Sequence, residues 1–262
     1  MSLKDFFYTI YDDVTRNYTL FRSKKSKVHG IILMYHHVIS DESMPLGSCV
    51  CTVDEFKNSL DEIAKHGYKF VSIDEANKII KQGCTIKFAS ITFDDVPDNF
   101  YDNAYPVLKV YNYPFALFIT TSYLVKSGYL NSKQVSYLSK DPLCTIGAHT
   151  MTHPVLRKSG NAKMELQGAK IELERLTGYC VKYLAYPYGK KSSVSNRVTR
   201  VAAECGYEAA FGTEETPVSD YSLKNPYNLP RVVYQRGNFY EIFEYRMPIG
   251  SIILNKIRKY FE

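Results

Sequence analysis

Segments with the composition of buried strands alternate with segments of helical periodicity along most of this chain. Apolar runs rich in β-branched and aromatic residues recur from residue 31 to about residue 234, and most are followed by a stretch with helical spacing of its apolar side chains. Such a repeat is typical of a strand that is joined to a parallel neighbour by a crossover helix. The alternation constrains the fold more than any other feature, because it requires a parallel sheet covered by helices.

The repeats can be placed from residue type, spacing and the positions of glycine and proline. Strands are predicted at 31–36, 68–72, 86–93, 115–120, 145–148, 181–185, 209–212 and 231–234. Helices are predicted at 53–65, 74–81, 98–111, 132–138, 162–176 and 193–204. About seven repeats without a glycine- or proline-rich linker favour one α/β domain over two. The prediction is a single distorted (β/α) barrel of about seven parallel strands, similar to a TIM barrel.

Three regions follow from this prediction. Residues 31–248 form the barrel, residues 1–30 an N-terminal extension, and residues 249–262 a C-terminal amphipathic segment. The formal net charge of +6 is carried largely near the ends of the chain, at 16–27 and 256–259. A moderate surplus in these places favours an anionic surface, rather than nucleic acid, as a partner.

The sequence predicts a cytoplasmic protein. Its first ten residues lack the basic start, long apolar core and small-residue cleavage site of a secretory signal. No apolar run approaches the roughly 20 residues that a membrane span needs. A helix over 250–261, with the basic residues 22–27, would allow weak binding to the anionic inner membrane surface. The commoner alternative is that the apolar face of this helix packs on the barrel.

Two adjacent carboxylates, Asp94 and Asp95, follow the strand predicted at 86–93. The carboxyl ends of barrel strands carry the chemistry in such folds, so polar residues there are functional candidates. Neighbouring carboxylates repel each other and are costly to desolvate unless a cation or hydrogen-bond donors compensate. A metal would compensate, with one carboxylate as its ligand and the other accepting a proton from water. The alternative is that the pair begins a loop and caps the next helix.

His149 and His153 lie four residues apart, after the strand predicted at 145–148. Pro154 disfavours a continuous helix through the second histidine, so a turn at the strand end is predicted. Two imidazole nitrogens and one carboxylate leave positions open on a divalent metal such as zinc, which is the arrangement of a catalytic site. For an isolated pair, surface histidines or hydrogen-bonded core histidines are the commoner alternative.

Three short motifs occur in a characteristic order along the chain. They are TFDD at 92–95, HTMTHP at 149–154 and AYPYG at 185–189. Together they resemble the ordered signature of the polysaccharide deacetylases, the NodB-homology or carbohydrate esterase family 4 fold. The similarity extends from about residue 31 to residue 231, and the three motifs in order are far more specific than any one alone.

The resemblance implies a role for each matching residue. Asp95, His149 and His153 would bind one divalent metal, expected to be Zn²⁺, with Co²⁺, Ni²⁺ or Mn²⁺ as alternatives. Asp94 would be the general base, and the backbone N–H of Tyr188 would help to stabilise the oxyanion. The Tyr188 ring would line the acetyl pocket, whereas a simple tight turn is the alternative for this motif.

The chain departs from the commoner family pattern at three positions. Val96, followed by Pro97, replaces the glycine after the aspartate pair, which predicts a stiffer loop over Asp94. Ala185 stands where the family has the arginine that orients the base, and Arg231 is the candidate to replace that cation. An ordinary surface ion pair is the alternative for Arg231.

The third departure concerns the general acid, because the late leucine-x-histidine motif of many relatives is missing: no histidine follows His153. The segment 32–37 resembles the first strand of the poly-N-acetylglucosamine deacetylase branch, whose first histidine after tyrosine projects into the site. His36, rather than His37, is therefore predicted to protonate the leaving amine. A purely structural hydrogen bond of His36 at the barrel mouth is the alternative.

The predicted function is that of a metal-dependent hydrolase that removes acetyl groups from N-acetylated amino sugars. Its partner would be a glycan, an oligosaccharide or a carrier-linked precursor. Three alternatives share the same fold: a glycan O-acetyl esterase, a catalytically degenerate barrel that binds glycan, and a metallohydrolase that cleaves a carbon–nitrogen bond in a small amide. The sequence does not predict the oligomeric state.

Overall fold

The computed structural model of the chain describes residues 29–40, 49–83, 86–214, 216–218 and 222–234. The predicted C-terminal segment (249–262) and nearly all of the predicted N-terminal extension (1–30) lie outside these ranges. The three-region division and the proposed terminal helix therefore remain predictions.

Parallel strands form the wall of a curled sheet. The strands of the described residues are β1 (His29–Tyr35), β2 (His37–Ile39), β3 (Val50–Thr52), β4 (Lys69–Phe70), β5 (Lys87–Asp94), β6 (Phe115–Ile119), β7 (Cys144–Ala148), β8 (Tyr183–Ala185), β9 (Ala209–Phe211) and β10 (Val232–Val233). Seven of them lie in the order β10–β1–β5–β6–β7–β8–β9, and β4 pairs with β5 beside this path. Because all these pairs are parallel, the carboxyl ends of the strands meet at one end of the barrel.

The two edges of this sheet are linked by residues 229–233. Leu229 donates its N–H to Ala210 O at 2.8 Å and accepts from the N–H of Gly212 at 2.8 Å, which joins it to the end of β9. A few residues later, β10 pairs in parallel with β1. Arg231 lies between these two contacts, and its side chain is completely buried.

Helices cover the outside of the sheet, and their ends follow local sequence rules. They are α1 (Val53–Lys65), α2 (Ile73–Gln82), α3 (Tyr105–Tyr111), α4 (Ser132–Leu138), α5 (Ala162–Thr177) and α6 (Asn196–Glu204). Thr52 and Glu55 form a reciprocal capping box at the start of α1. Gly83 ends α2 in the left-handed conformation, at φ 65°, which glycine adopts without steric cost.

Alternate residues of β1 contribute to two apolar clusters. Ile31 and Leu33 pack in a cluster that includes Phe56 and Leu60 of α1. Ile32 points the other way, into a cluster with Phe118 of β6. Full burial of such a side chain stabilises the fold by about 1.5–3 kcal/mol, so both faces of the sheet contribute to stability and hold the strand ends in place.

The predicted barrel is confirmed, with differences in detail. Helices α1 and α4 have the predicted bounds, but the helix expected at 98–111 is a π-helical turn at Phe100–Ala104 followed by α3. Strands β2 and β3, which pair only with each other, were not predicted. In the part of the chain that the structure describes, no helix is both long and apolar enough to span a membrane.

Candidate active site

Polar residues from the carboxyl ends of four strands, together with Arg231 from the segment before a fifth, converge at one end of the barrel. Asp94 ends β5 and Asp95 follows it; the turn that carries His149 and His153 follows β7. The other contributors are His36 after β1, Tyr188 in the turn after β8, and Arg231 just before β10. The fold thus places all seven predicted site residues at the same end of the barrel.

Asp94 and Arg231 form a buried bidentate ion pair. Arg231 Nη1 donates to Asp94 Oδ1 and Nη2 to Asp94 Oδ2, each at 2.6 Å. The same guanidinium donates to Thr92 Oγ1 at 3.1 Å and to Gly212 O at 3.1 Å. The side chains of Arg231 and Asp94 are 0% and 2% exposed, so the arginine occupies a specific position in the core rather than on the surface.

This pair keeps Asp94 ionised. Burial alone would favour the neutral acid, but the charge of Arg231, its hydrogen bonds and the nearby His149 outweigh that effect and lower the pKa of Asp94 to about 2. Asp94 is therefore a carboxylate near neutral pH. Its Oδ2 atom lies 3.9 Å from His149 Nε2, at the edge of the metal-ligand cluster.

The donor atoms of Asp95, His149 and His153 lie within 4.8 Å of one another. Asp95 Oδ1 is 3.9 Å from His149 Nε2 and 3.7 Å from His153 Nε2. His149 Nδ1 donates to the carbonyl oxygen of Ala185 at 2.8 Å, so Nε2 carries the lone pair of the neutral ring. Burial and the proximity of His149 lower the pKa of His153, which favours its neutral, ligating form.

This donor set fits a divalent metal. Two imidazole nitrogens and one carboxylate oxygen suit Zn²⁺ and leave coordination positions free for reactants. Thr120 Oγ1 lies 3.1 Å from Asp95 Oδ1 and 3.1 Å from the carbonyl oxygen of His149, and so connects two of the proposed ligands. Such outer contacts commonly orient metal ligands.

The backbone around the site adopts a conformation that side chains other than glycine rarely take. In the described part of the chain, seven residues other than glycine have positive φ, and five of them are found here: Asp95 (59°), Val96 (50°), Thr150 (70°), His153 (60°) and Tyr188 (63°). For a β-branched residue such as Val96 this conformation is strained. Strain of this kind persists only where surrounding contacts enforce it, and it is concentrated at functional sites.

The loop after Asp95 is held by a second loop. Val96 O accepts from Leu130 N–H at 3.1 Å, and Asp98 N–H donates to Gly128 O at 3.0 Å. Pro97 and Tyr129 form an antiparallel bridge between these two hydrogen bonds. These contacts offer a physical reason why valine and proline are accommodated at these two positions.

His36 and His37 have different surroundings. The Nδ1 atom of His36 is buried and has no hydrogen-bond partner among the described residues. Burial lowers the pKa of His36, although Asp94 and Asp95 oppose this effect. His37 instead belongs to β2 and accepts from Asn99 Nδ2 at 3.1 Å. The structure thus gives His36 an uncommitted ring nitrogen near the carboxylate pair, in its neutral form near neutral pH.

The turn after β8 is tied to the following strand. Thr213 Oγ1 donates to Tyr188 O at 2.8 Å, and Thr213 N–H donates to Gly189 O at 3.0 Å. A side chain on Gly189 would overlap Thr213, so the turn requires glycine. Among the residues that the structure describes, no acceptor receives the Tyr188 N–H, which leaves this donor free for a ligand.

Tyrosine rings surround the proposed metal ligands. The Tyr188 ring contacts the His153 ring edge to face at 4.9 Å and is 55% exposed. On the opposite loop, Tyr123 lies 6.2 Å from the His153 ring and 4.5 Å from Tyr129. Burial, followed by the charge of Asp95, raises the pKa of both Tyr123 and Tyr129. Sequence reasoning identified Tyr188 but missed these two, which lie in a loop without a recognised motif.

Comparisons with known proteins agree with this geometry. The family model described as polysaccharide deacetylase matches residues 81–210. The poly-beta-1,6-N-acetyl-D-glucosamine N-deacetylase of Staphylococcus epidermidis is 26% identical, with 82% of each chain covered.

Solved structures show the same fold. The Streptococcus pyogenes deacetylase PplD, in complex with acetate, superposes with a TM-score of 0.73 at 23% identity, over 84% of this chain and 99% of that one. IcaB from Ammonifex degensii gives a TM-score of 0.72 at 22% identity, over 83% and 97%. With the family model, the three ordered motifs and the barrel in agreement, the predicted resemblance of this chain to the polysaccharide deacetylase family is confirmed.

Proposed function

We propose that this protein is a metal-dependent hydrolase that removes the acetyl group from N-acetylglucosamine units of a glycan. The observation that carries the proposal is the convergence of Asp95, His149 and His153 beside the ionised Asp94. A cluster that only stabilised the fold would not need two imidazole nitrogens and a carboxylate oxygen facing one another next to a second carboxylate held by a buried arginine.

Each residue has a chemical role in the proposal. Because the pKa of Asp94 is about 2, this carboxylate can accept a proton only from a water that has itself been made acidic. When bound by Asp95, His149 and His153, a divalent metal such as Zn²⁺ would supply that acidity and would polarise the acetyl carbonyl. Arg231 holds both oxygens of Asp94 and so fixes the orientation of the base.

The remaining steps concern the oxyanion and the leaving group. The free N–H of Tyr188 is oriented by the Thr213 contacts and would donate to the oxygen that becomes negative as the amide carbon turns tetrahedral. His36 would carry a proton to the departing amine nitrogen. Its lowered pKa makes it a neutral ring in the resting site, so in this proposal it first acquires the proton that Asp94 removes from water.

An N-acetylated glycan is the substrate that the observations favour. The staphylococcal relative is named for a polymer of β-1,6-linked N-acetylglucosamine. In this chain the rings of Tyr123, Tyr129 and Tyr188 border the ligand cluster, and aromatic rings with polar tips suit the apolar faces and hydroxyls of a sugar. The test below therefore uses β-1,6-linked oligomers, the linkage in the name of that relative.

Acetate release tests this function. The zinc-loaded protein should release acetate and generate free amines from β-1,6-linked N-acetylglucosamine oligomers, and chelator should stop both. His149→Ala should lose stoichiometric metal, as measured by elemental analysis, and activity with it. Turnover of acetyl esters alone would instead identify an O-acetyl esterase, and no acetate from either substrate with metal bound would identify a non-catalytic barrel.

Location forms a separate part of the proposal. We keep the cytoplasmic assignment and weak binding to an anionic membrane surface as hypotheses, since residues 22–27 and 250–261 lie outside the described residues. Co-sedimentation with vesicles, with and without anionic lipid, should distinguish the full chain from a chain ending at Gly250. If neither form binds anionic vesicles at low salt, packing of the terminal helix on the barrel is favoured.

A further inference from the structure

One side chain of helix α5, that of Glu165, accepts hydrogen bonds from the turn that carries the proposed histidine ligands. Met151 N–H and Thr152 N–H both donate to Glu165 Oε2, each at 2.9 Å. Thr152 Oγ1 donates to the other oxygen, Glu165 Oε1, at 2.7 Å. A single carboxylate therefore receives three hydrogen bonds from two residues that lie between His149 and His153.

Glu165 is buried, with only 5% of its surface exposed. A buried carboxylate is costly unless donors satisfy it, and within the described residues no lysine or arginine forms an ion pair with it. Its hydrogen-bond donors among the described residues all belong to the turn. The donors of the turn thus compensate the buried Glu165 carboxylate. In return, the carboxylate accepts from the backbone N–H groups of Met151 and Thr152.

Helix α5 also makes room for the turn. Gly168 lies one helical turn after Glu165, on the same face, and a side chain there would overlap Met151 Sδ. Glycine in a helix interior costs about 1 kcal/mol relative to alanine, so its presence is explained by the close approach of the Met151 side chain. Glu165 and Gly168 together form a seat for residues 151–152.

The contacts at residues 151–152 stabilise the backbone conformation that brings His153 close to His149. Thr150 and His153 flank the seated residues and both have positive φ, at 70° and 60°. Such residues revert to commoner conformations unless contacts enforce them. Any rotation at Thr150 would displace His153 relative to His149, whose ring is fixed separately by Ala185 O.

We propose that Glu165 is a positioning residue that sets the metal affinity of the site through the turn between His149 and His153. It does not touch the metal, and the proposal rests on the metal site of the proposed function. Residues that orient metal ligands from outside the coordination sphere typically change metal affinity by about 10–100-fold when they are removed. We expect an effect of that size from Glu165.

Glu165→Gln is the direct test. Glutamine keeps the shape but replaces one acceptor oxygen with an amide that cannot accept from the turn. The dissociation constant for Zn²⁺, measured by competition with a chelating dye, should rise by about 10–100-fold. Glu172→Gln is the matched control, because Glu172 lies on the same helix and, among the described residues, forms no hydrogen bond with the turn. The dissociation constant of this variant should match that of the wild type.

Thr152→Val keeps the proposal testable if Glu165→Gln does not fold. Valine preserves the shape of this exposed residue and removes only the hydroxyl donor to Glu165 Oε1, so zinc affinity should fall in the same direction by a smaller factor. The visible absorption of bound Co²⁺ should change in both variants, because the histidine geometry changes.

Two results would overturn the inference, and they can be told apart. Unchanged zinc affinity and Co²⁺ absorption in folded Glu165→Gln and Thr152→Val, even with a lower melting temperature, would reduce Glu165 to a stabilising contact and leave the proposed function intact. Absence of metal binding by the wild-type protein would overturn the metal site itself, and the inference with it.

Discussion

Replacement of Arg231 by methionine should destabilise the fold strongly, because it leaves a buried carboxylate without its counter-charge. The guanidinium makes two hydrogen bonds to Asp94, one to Thr92 and one to Gly212, with no exposed surface. Removing one partner of a buried pair costs about 3–5 kcal/mol. The pKa of Asp94 is lowered from 3.8 to about 2. This shift corresponds to about 2 kcal/mol in favour of the charged form, and it already includes the opposing effect of burial.

A double-mutant cycle isolates this interaction. Urea unfolding of the metal-free protein at pH 7 would compare Arg231→Met, Asp94→Asn and the double variant with the wild type. Each single change leaves one buried group unmatched, whereas the double change removes both charges. The double variant should therefore lose less stability than the sum of the single losses, by at least about 2 kcal/mol.

The reasoning has a clear point of failure. If Arg231→Met lowered the free energy of unfolding by less than about 1 kcal/mol, as is usual for a surface pair, or if the single losses were additive, the buried pair would not be what holds Asp94. Arg231→Lys is a useful further variant, because it keeps the charge but cannot reproduce the planar two-pronged contact. It should fall between the wild type and Arg231→Met in both stability and turnover.

Four further outcomes are expected. Asp94→Asn should keep its metal, by elemental analysis, and lose at least about 100-fold in kcat, since the amide cannot accept the proton. His36→Ala should keep its metal and lower kcat by about 100-fold, because the departing amine loses its proton carrier, and a larger loss in His37→Ala would reverse that assignment. Tyr123→Ala should raise KM for an N-acetylglucosamine oligomer by about 3–10-fold, and equal KM values would remove this ring from the glycan site. Hydrogen-bond donors outweigh burial and lower the pKa of Asp141, so Asp141→Asn should destabilise the protein at pH 7. The difference should begin to shrink below about pH 4, where the unfolded carboxylate takes up its proton first, and should vanish once the pH is below the lowered pKa of the folded state.

The sequence was sufficient for the barrel, because strand and helix periodicities differ and glycine and proline mark the ends. Helix α1 shows this agreement, with Thr52 and Glu55 visible as a capping box and its bounds predicted correctly. The pair of three-residue strands β2 and β3 was missed because segments so short have no measurable period. The prediction of one helix at 98–111 was partly wrong, because the pattern of apolar residues does not distinguish the π-helical turn at Phe100–Ala104 from an α-helix.

Residues of the site could be predicted only where they belong to a motif or where a residue expected from the family pattern is absent. Because Ala185 stands at an expected arginine position, Arg231 was predicted to replace that cation. The structure shows its contact with Asp94, although the two residues are 137 positions apart in the sequence. Glu165 gave no such signal, because a glutamate in the first turn of a helix is ordinary. Tyr123 and Tyr129 were also missed, because their places depend on contacts between loops: Tyr123 lies beside His153 and Tyr129, and Tyr129 forms the bridge with Pro97.

The position of Arg231 near the end of the barrel has a consequence for biosynthesis. At about 5–20 residues per second, a ribosome needs roughly 7 to 27 seconds to extend the chain over the 137 residues that separate Asp94 from Arg231. By the end of that interval the nascent chain contains β5 and both proposed histidine ligands, but not the guanidinium of Arg231 that pairs with the carboxylate of Asp94 in the folded barrel. Closure of the barrel over this carboxylate must therefore await the last strand, and a nascent chain paused before residue 231 would hold all three proposed metal ligands around an interior that cannot yet exclude water.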